Sequence, residues 1–335
     1  MAMTTIVTGA SGFVGLNVVE ALLQNGRRVV ALSHDALPAP AAHDFARLPG
    51  KLFAVQADIV APGTLIEIFR DHDVQQAIHL AAITSGANAD PRQAARMLDV
   101  NAVGTVALFE AAVAKKLRRV VYASSGAVYG DAVFGAAPID EDTAAQPTTL
   151  YGITKLLGER LVRHYRARHG LDCVAARLSA VFGPWERDTG LRATLSAPFQ
   201  LAGIAVRGGE AVLASRGVRD WIYSRDIARA LVALLDAPAL GHEIYNVSLG
   251  EIWNARLVAE ALAAEFPAFR WREAANEAEA NIAYFAALDR ERRSANCARL
   301  TRELGFSLAF PPPRACADYA GWVRTHRAMF ASSER

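Results

Sequence analysis

The segment YGITK contains a tyrosine and a lysine, Tyr151 and Lys155, four positions apart. Of all residue pairs in this sequence, this one is best suited to acid and base chemistry. On a helix, this spacing brings both side chains to one face. A tyrosine hydroxyl has a pKa of about 10, so it acts as a base at neutral pH only if a nearby cation favours the phenolate. Because a lysine ammonium supplies that charge, the pair predicts proton transfer to and from a substrate oxygen.

A serine upstream of this pair suits the same site. Ser125 lies in SSGAVYG, just after a predicted strand, and ligands of parallel sheets bind at the carboxyl ends of the strands. Taken singly, each residue also suits a structural role, the tyrosine in packing and the serine in a turn. Together, and behind a dinucleotide-binding turn, the three residues favour a catalytic site.

That turn is the glycine-rich segment TGASGFVG near the N-terminus. Its glycines fall between an apolar strand and an amphipathic helix, where they allow a tight turn and the close approach of a pyrophosphate. The helix N-terminus adds N–H donors and the positive end of its dipole. This context favours a dinucleotide cofactor over a turn that is glycine-rich for packing alone. The residues expected to line the cofactor here are Gly9, Ser11, Gly12, Phe13, Val14 and Gly15.

The end of the second predicted strand bears on which dinucleotide binds. An acidic residue is expected there to hold the adenosine ribose, but the sequence has Ser33, followed by His34 and Asp35. Without a carboxylate at this position nothing repels a 2′-phosphate, which Ser33 and His34 would hydrogen-bond, so the sequence favours NADP while leaving NAD open. Asp58 and Ile59, after the third strand, are assigned to the adenine pocket, although Asp58 suits an ordinary helix cap equally well.

Short β-branched runs alternate with longer helical stretches in the first half of the chain, which predicts an α/β fold with a doubly wound parallel sheet. The expected strands are residues 4–8, 28–32, 52–56, 77–80, 120–123 and 173–177, and the expected helices are residues 14–24, 64–70, 92–115 and 151–168. After Gly183 the pattern becomes irregular. A helix at 226–235 and a strand at 243–247 are expected to return to the sheet, before a helix at 254–264 and a proline-containing tail.

Composition excludes several classes of protein. Apolar residues make up 52% of the 335 residues and the net charge is only +2, which predicts a globular chain without a nucleic-acid or membrane surface. Cys173, Cys297 and Cys316 fit neither a disulfide framework nor a zinc site, and the histidines have no ligand spacing. We therefore expect a cytoplasmic protein without a metal.

Six segments together resemble the extended short-chain dehydrogenase/reductases, the NAD-dependent epimerase/dehydratase family. They are TGASGFVG, AIHLAA, the helix with Asn101, SSGAVYG, YGITK and RDWIYSRD. The resemblance implies a Rossmann domain with a smaller C-terminal substrate lobe, and hydride transfer between a nicotinamide and a carbinol carbon. On this pattern the Rossmann domain comprises residues 1–180 and about 220–248, and the substrate lobe comprises residues 181–219 and about 249–335.

The same resemblance implies roles for individual residues. Tyr151 would be the general acid and base, Lys155 would bind the nicotinamide ribose and lower the tyrosine pKa, and Ser125 would hold the substrate oxygen. Asn101 would support the active-site helix and its water, although a polar residue that shapes the helix is an equal interpretation. Further cofactor contacts are expected from Leu80, Ala81, Ala82, Thr84 and Val181. Substrate contacts are expected from Thr84, Ser125, Gly126, Ser179, Trp185 and Arg219.

Departures from the family pattern narrow the reaction. Ser125 is followed by Gly126 and Ala127 rather than by an acidic pair, which argues against dehydration. Ala180 stands where many epimerases have an asparagine that reaches the substrate diphosphate, whereas Arg219 matches a residue that grips it and could equally pair with an acid. The leading hypothesis is a net NAD(P)-dependent dehydrogenase or reductase of a sugar-like substrate, with a sugar-nucleotide epimerase as the alternative. A non-catalytic dinucleotide sensor is disfavoured because Tyr151 and Lys155 are both present.

Two predicted helices carry more apolar residues than one buried stripe requires. These residues are Val100, Val103, Val106, Leu108 and Phe109 on the first helix, and Ile153, Leu156, Leu157 and Leu161 on the second. In relatives these helices pair as a four-helix bundle, so a homodimer is expected.

Overall fold

The structure is a computed structural model that describes residues 3–84, 91–134, 138–189, 195–214, 218–284 and 292–330. Its strands are β1 (Thr4–Thr8), β2 (Arg28–Ser33), β3 (Lys51–Gln56), β4 (Val74–His79), β5 (Arg119–Ser125), β6 (Cys173–Leu178), β7 (Ala180–Phe182), β8 (Glu210–Leu213), β9 (Val218–Arg219), β10 (Trp221–Tyr223), β11 (Ile244–Val247), β12 (Trp253–Asn254) and β13 (Arg270–Glu273). Its α-helices are α1 (Phe13–Gln24), α2 (Ala39–Phe45), α3 (Thr64–Asp71), α4 (Pro91–Leu98), α5 (Gly104–Ala114), α6 (Leu150–His169), α7 (Ala197–Val206), α8 (Ser224–Asp236), α9 (Arg256–Glu265), α10 (Ala298–Leu304) and α11 (Pro312–Thr325).

Seven parallel strands form the central sheet, in the order β11-β6-β5-β4-β1-β2-β3. The chain builds outward from β1 to β3 and then crosses to β4 on the other side of β1. The switch point of the topology therefore lies between β1 and β4, where the loops that follow the two strands diverge and leave a crevice for a ligand.

Both faces of this sheet are covered, which explains the nearly continuous apolar character of its strands. Successive residues point to opposite faces, so Ile6 packs in the layer that contains α3, α5 and α6, and Val7 packs in the layer that contains α1 and α8. Both side chains are fully buried. The two layers therefore fix the positions of the carboxyl ends of the strands.

The six predicted strands of the first half and the strand expected at 243–247 are all present, and the doubly wound α/β sheet is confirmed. Because β11 pairs with β6, the segment after α8 does return to the sheet. The exact division of the chain into two lobes stays a prediction.

One local prediction differs from the structure, and two segments without a predicted element contain helices. The helix expected at 92–115 is divided into α4 and α5 by a π-helical segment, Asp99–Val103. The segment after β2, which was not assigned, contains α2, because Pro38 and Pro40 sit at its first turn, where a missing N–H costs no helix bond. The proline-containing tail likewise begins α11 rather than ending the regular structure.

The segment Gln93–Ala114 is the one described helical run that is long and apolar enough to cross a membrane by length and composition alone, and half of its best window is buried inside the fold. A core helix of a globular domain passes the same test. Here the run packs on α3 and α6, and it carries Asn101, whose amide is hydrogen-bonded inside the protein. Its apolar character therefore reflects the core on one side.

Helix α6 approaches β5 very closely at Gly158. A methyl group at this position would lie 2.2 Å from the side chain of Tyr122, which is buried in β5. This contact sets the distance between the strand that ends at Ser125 and the helix that carries Tyr151.

We expect Gly158→Ala to lower the free energy of unfolding by about 2 kcal/mol, because overpacking against Tyr122 outweighs the gain in helix propensity. The matched control is Gly321→Ala in α11, where a methyl group would have no neighbour within 4 Å. This control should raise the free energy of unfolding by roughly 0.5 to 1 kcal/mol. Denaturant unfolding of the two variants checks both values, and equal effects would contradict the packing argument.

Candidate active site

The glycine-rich turn leaves no room for side chains on its inner side. Gly9 has a φ of 67°, and a methyl group there would lie 2.7 Å from the amide nitrogen of Ala81, just after β4. A methyl group on Gly15 would lie 2.2 Å from the carbonyl oxygen of Gly9. At Gly12 the nearest atom, again the carbonyl oxygen of Gly9, is 3.1 Å away and nothing else is within 4 Å. Gly9 and Gly15 therefore close the turn, and Gly12 presents the open side.

Helix α1 begins beside this open side and fits an anion. No acidic residue occupies its first turn, and Gly12, at its N-cap position, offers no side chain to satisfy the terminal amides. The positive end of the helix dipole therefore faces the space in front of Gly12. Ser11, Phe13 and Val14 flank Gly12 in the chain at this helix start, so the segment predicted from the sequence fits a dinucleotide pyrophosphate.

The end of β2 lies directly against this turn, because the amide of Ala10 donates a 3.1 Å hydrogen bond to the carbonyl of Leu32. Ser33 is buried, and its hydroxyl donates a 2.8 Å bond to the carbonyl oxygen of Asp35. The side chains of His34 and Asp35 are both exposed and 3.2 Å apart. Ser33 thus shapes the strand end, and its proton is already used there.

Asp58 is held between two partners. Its carboxylate accepts hydrogen bonds from the amide of Val60 and from Arg96. Burial opposes its ionisation, but these bonds and the charge of Arg96 outweigh that effect and lower the pKa of Asp58. The carboxylate is therefore a fixed acceptor at the rim of the expected adenine pocket, with the buried Ile59 beside it.

Tyr151 is placed by the beginning of α6. The hydroxyl of Thr149 caps this helix by accepting a hydrogen bond from the amide of Gly152, so Tyr151 falls in the first turn. One turn later Lys155 is almost fully buried, with its Nζ 5.7 Å from the centre of the Tyr151 ring. The predicted shared face of the two side chains is confirmed.

Lys155 is held from below by β5. Its ammonium donates a 2.7 Å hydrogen bond to the carbonyl oxygen of Ala123 and lies 5.0 Å from the centre of the Tyr122 ring. Burial lowers the pKa of Lys155 to about 7. The carbonyl and the ring are the main attractions that retain the charge, so a bound ligand that brings hydroxyl groups or negative charge would favour the ammonium form.

Ser125 ends β5 at the same edge of the sheet. Its Oγ accepts a 3.2 Å hydrogen bond from the amide of Ala127, which fixes the side chain while its own proton stays available. Gly126 follows at the start of a 3-10 helical segment, Gly126–Phe134. Helix α6 packs on this segment, since a methyl group on Gly152 would lie 2.7 Å from the carbonyl oxygen of Ala127. Ser125 and Tyr151 are therefore on adjoining elements.

Asn101 ties the loop after β4 to α6. Its Oδ1 accepts a 2.8 Å bond from the amide of Ile83, and its Nδ2 donates to the carbonyl of Ile83 and to the hydroxyl of Thr154. Thr154 in turn donates to the carbonyl of Tyr151. The π-helical segment turns Asn101 inward for this purpose, which is a common use of such segments at functional sites. Asn101 is thus a positioning residue in this structure.

A buried histidine continues this network beneath the site. His79 contacts the hydroxyl of Thr8 at 2.6 Å and that of Thr105 at 2.9 Å. Burial, with a smaller effect from Lys155, lowers the pKa of His79 to about 3, so the ring is neutral. The hydroxyl of Thr8 also accepts bonds from the amides of Leu80 and Ala81. The strand that precedes Gly9 and the loop that includes Ala82 and Thr84 are therefore locked together.

Two arginines from the C-terminal part of the chain lie near enough to one another for their charges to repel. Arg219 is 9% exposed and stacks on Tyr284, while Arg292 lies over Phe134, at the end of the segment that follows Ser125. Burial, and then repulsion by Arg219, lower the pKa of Arg292 to about 10, with only partial compensation from the buried Asp220. Burial also lowers the pKa of Arg219. Such a pair is suited to an anion with two negative charges.

Three further substrate or cofactor assignments have different outcomes. Ser179 and Val181 lie at the carboxyl end of β6 and in β7, next to the segment that carries Arg219, and the Ser179 hydroxyl donates to the carbonyl of Asp220. The placement of Trp185 in the substrate pocket is wrong. Trp185 is 1% exposed, because its Nε1 donates to Glu20 on α1 and its ring packs on aromatic neighbours in α2 and α11.

Sequence reasoning missed several residues that hold the site. Tyr122, His79 and Thr154 are ordinary members of strand or helix patterns, and only the fold brings them under Lys155 and Asn101. Their signal in the sequence is indirect, since each lies within or next to a motif segment. Arg187, in the irregular part of the chain, carries no pattern at all.

In the part of the chain that the structure describes, no three histidine, cysteine or acidic side chains are grouped so as to hold a metal ion. The three cysteines are free thiols.

Comparison with known proteins places this arrangement among relatives. The model of the NAD dependent epimerase/dehydratase family matches residues 5–248. UDP-glucose 4-epimerase of Mycolicibacterium smegmatis is 35% identical over 78% of this chain and 82% of that protein. The dTDP-glucose 4,6-dehydratase of Xanthomonas campestris is 28% identical over 97% of this chain and 94% of that protein. The structure of MoeE5 with UDP-glucuronic acid and NAD is 26% identical, with a TM-score of 0.73 over 97% of this chain and 99% of that chain.

We expect Lys155→Met to abolish turnover but to stabilise the free protein. The pKa of Lys155 is about 7 in the fold against 10.5 for an ordinary lysine, so its burial costs most at and below pH 7, and the cost fades as pH rises toward 10.5. The free energy of unfolding at pH 7 should rise by at least about 1 kcal/mol, and the advantage should shrink by pH 10. Denaturant unfolding at several pH values measures this, with the exposed Lys51→Met as control. A less stable variant at pH 7 would contradict it.

Proposed function

We propose that this chain, which belongs to the NAD dependent epimerase/dehydratase family, is an NAD(P)-dependent oxidoreductase acting on a secondary alcohol or ketone of a sugar nucleotide. The observation that carries this proposal is the buried Lys155 one turn below Tyr151, at the edge of the sheet that also presents Ser125 and the glycine-rich turn. The cradle of Gly9, Gly12 and Gly15 supports a dinucleotide whose nicotinamide would accept or donate the hydride.

The chemistry of the protein side is proton transfer at the substrate oxygen. Ser125 donates a hydrogen bond to that oxygen, and Tyr151 takes up its proton when the alcohol is oxidised and returns it when the ketone is reduced. The Lys155 ammonium stabilises the phenolate of Tyr151, so a group with an ordinary pKa of about 10 can work near neutral pH. Asn101 fixes the position of Tyr151 through Thr154. Its amide donates a 3.0 Å hydrogen bond to the Thr154 hydroxyl, which donates to the carbonyl of Tyr151.

The arginine pair of Arg219 and Arg292 supports the sugar-nucleotide part of the proposal. The buried Arg219 and the partly buried Arg292 repel each other, so both gain from a diphosphate, whose charge offsets both and whose oxygens accept their hydrogen bonds. Arg292 lies next to the segment that follows Ser125, so a diphosphate held there would leave the attached sugar near the catalytic group. The side chain of Ala180 cannot donate a hydrogen bond to the diphosphate, so this chain would bind the diphosphate through the charges of Arg219 and Arg292.

Two outcomes of the hydride transfer are open to such a site. A net oxidoreductase exchanges its cofactor in each turnover, whereas an epimerase retains its cofactor and releases a sugar of inverted configuration. Ser33 in place of an acidic residue favours NADP over NAD. A preference for NADP supports the net oxidoreductase, which exchanges its cofactor in each turnover. The relationship to UDP-glucose 4-epimerase is the observation that favours the second candidate. The residues after Ser125, Gly126 and Ala127, lack the acidic groups that dehydration needs.

The experiment is mass spectrometry of the purified protein, followed by turnover with UDP-sugars and either cofactor. A net oxidoreductase should contain little cofactor and should change nicotinamide absorbance in step with product. Stoichiometric NAD with inversion of the sugar would instead establish the epimerase. We expect Tyr151→Phe to lower kcat/KM by about 10³, because it removes the proton carrier and retains the ring. Tyr319→Phe, which removes a buried hydroxyl in α11, should keep normal turnover, and equal turnover by both variants would overturn the assignment of Tyr151.

We also propose a homodimer through an exposed apolar face formed by residues 98–106 and by α6. Of the residues expected there, Val100, Leu108 and Phe109 are buried in the chain's own core. Leu156 and Leu161 are partly buried. The other expected residues are exposed, namely Val103 (55%), Val106 (36%), Ile153 (50%) and Leu157 (40%), and the neighbouring Leu98 (43%) is exposed with them. A face of this composition on two adjacent helices favours association with its own copy.

Light scattering should give a dimer mass at micromolar concentration for the wild type and a monomer mass for Val103→Glu/Ile153→Glu. A buried carboxylate without a partner costs several kcal/mol per copy, which a dimer contact of this size does not repay. The matched control is Ile66→Glu on α3, a residue 52% exposed but outside the face, which should remain dimeric. A monomeric wild type would contradict the proposal.

A further inference from the structure

A short segment of the C-terminal part of the chain is pinned to the cofactor turn. Residues 183–187 follow β7 and run along α1, where Asn17 donates a 2.8 Å hydrogen bond to the carbonyl of Pro184 and Trp185 donates to Glu20. Trp185 has a φ of 70°, which is rare and strained for a tryptophan. The aromatic contacts of its ring with Phe45 and Trp322 hold it in this conformation.

The strained turn directs Arg187 back over the glycine-rich turn. Its Nη2 donates a 3.0 Å hydrogen bond to the carbonyl oxygen of Ser11, the residue between Gly9 and Gly12. Its Nε is buried and has no hydrogen-bond partner in the described structure. The side chain as a whole is only partly buried, so its remaining N–H groups, unlike Nε, can be reached by the acceptor oxygens of a ligand.

The side of the turn on which Arg187 lies is fixed by its neighbours. Burial lowers its pKa, and the nearby carboxylate of Asp35 opposes that effect. Asp35 follows β2, and Ala10 of the turn is bonded to Leu32 of the same strand. The guanidinium therefore lies toward the end of β2, where the adenosine ribose of a dinucleotide binds, rather than toward the catalytic residues.

The residue at the end of β2 cannot supply the charge that a 2′-phosphate needs. Ser33 is neutral, buried and already donates its proton to the backbone, and the exposed His34 faces Asp35. We propose that Arg187 is the residue that recognises the 2′-phosphate of NADP and so sets the cofactor preference of this enzyme. This inference rests on the proposed dinucleotide-binding function.

This assignment makes an element of the substrate part of the chain a determinant of cofactor choice. Residues that select NADP usually follow β2 itself, within the Rossmann unit. Here the cation comes from the loop after β7, more than 150 residues later in the sequence, and its direction depends on Trp185 and Asn17. Asp35 acts against it, since a carboxylate near the ribose favours the hydroxyl of NAD.

The test measures dissociation constants of NADP⁺, NAD⁺ and 2′,5′-ADP for the wild type, Arg187→Met and Arg187→Lys. Arg187→Met should weaken NADP⁺ and 2′,5′-ADP at least about tenfold and NAD⁺ less than about threefold, because one charged contact to the phosphate is lost. Arg187→Lys should restore part of the loss, since it keeps the charge without the planar fork. Arg256→Met, on the surface of α9, should change none of the constants.

Other outcomes overturn the inference in distinguishable ways. Equal weakening of both dinucleotides would assign Arg187 to the pyrophosphate or to the shape of the turn, and no weakening would make it an anchor of the loop only. Unchanged thermal unfolding of Arg187→Met separates lost recognition from a disturbed fold. A wild type that binds NAD⁺ but not 2′,5′-ADP contradicts the inference alone. A wild type that binds neither dinucleotide contradicts the proposed function as well.

Discussion

The burial of one ammonium group, that of Lys155, is the constraint on which the active site depends. A charge in this position is unfavourable, and the carbonyl of Ala123 and the rings of Tyr122 and Tyr151 compensate it in part. The close contact of Gly158 with Tyr122 brings α6 near enough to β5 for that bond to form. In the proposed function, Tyr151 would gain its reactivity from the same unfavourable burial, because a charge away from water acts strongly on its neighbour.

The rest of the site is organised by hydrogen bonds between the ends of β1 and β4 and the first turn of α6. Thr8, His79 and Thr105 form one continuous chain, and Asn101 extends it to Thr154. A neutral histidine suits this chain, because it can accept from one hydroxyl and donate to the other. The cofactor cradle and the catalytic helix are thus held by one network, and a displacement of either would be felt by the other.

The sequence was sufficient to predict the sheet and the shared helical face of Tyr151 and Lys155, because both are encoded locally. Strand periodicity, the glycines of the turn and the spacing of Tyr151 and Lys155 each lie within a few neighbouring residues. Contacts that depend on packing between distant segments could not be predicted from the sequence. Trp185 follows a glycine and a proline as a pocket residue would, yet its backbone turns it into α1, and Arg187 gains a role only because of that turn. The π-helical segment at Asn101 has no sequence signal apart from the polar residue itself.

Positive charge in this molecule is placed where the proposed ligands carry phosphate. Burial lowers the pKa values of Arg219 and Arg292, and it lowers that of Arg187 although the carboxylate of Asp35 opposes the shift. Guanidinium groups tolerate this burial because they remain charged even when their pKa falls by some units. A lysine so placed loses its proton near neutrality, and in Lys155 that sensitivity has a use, since its charge must respond to what binds beside Tyr151. The arginines, which stay charged, are therefore the residues that would hold the ligands. Lys155, whose charge can change near neutral pH, is the residue that would assist the chemistry.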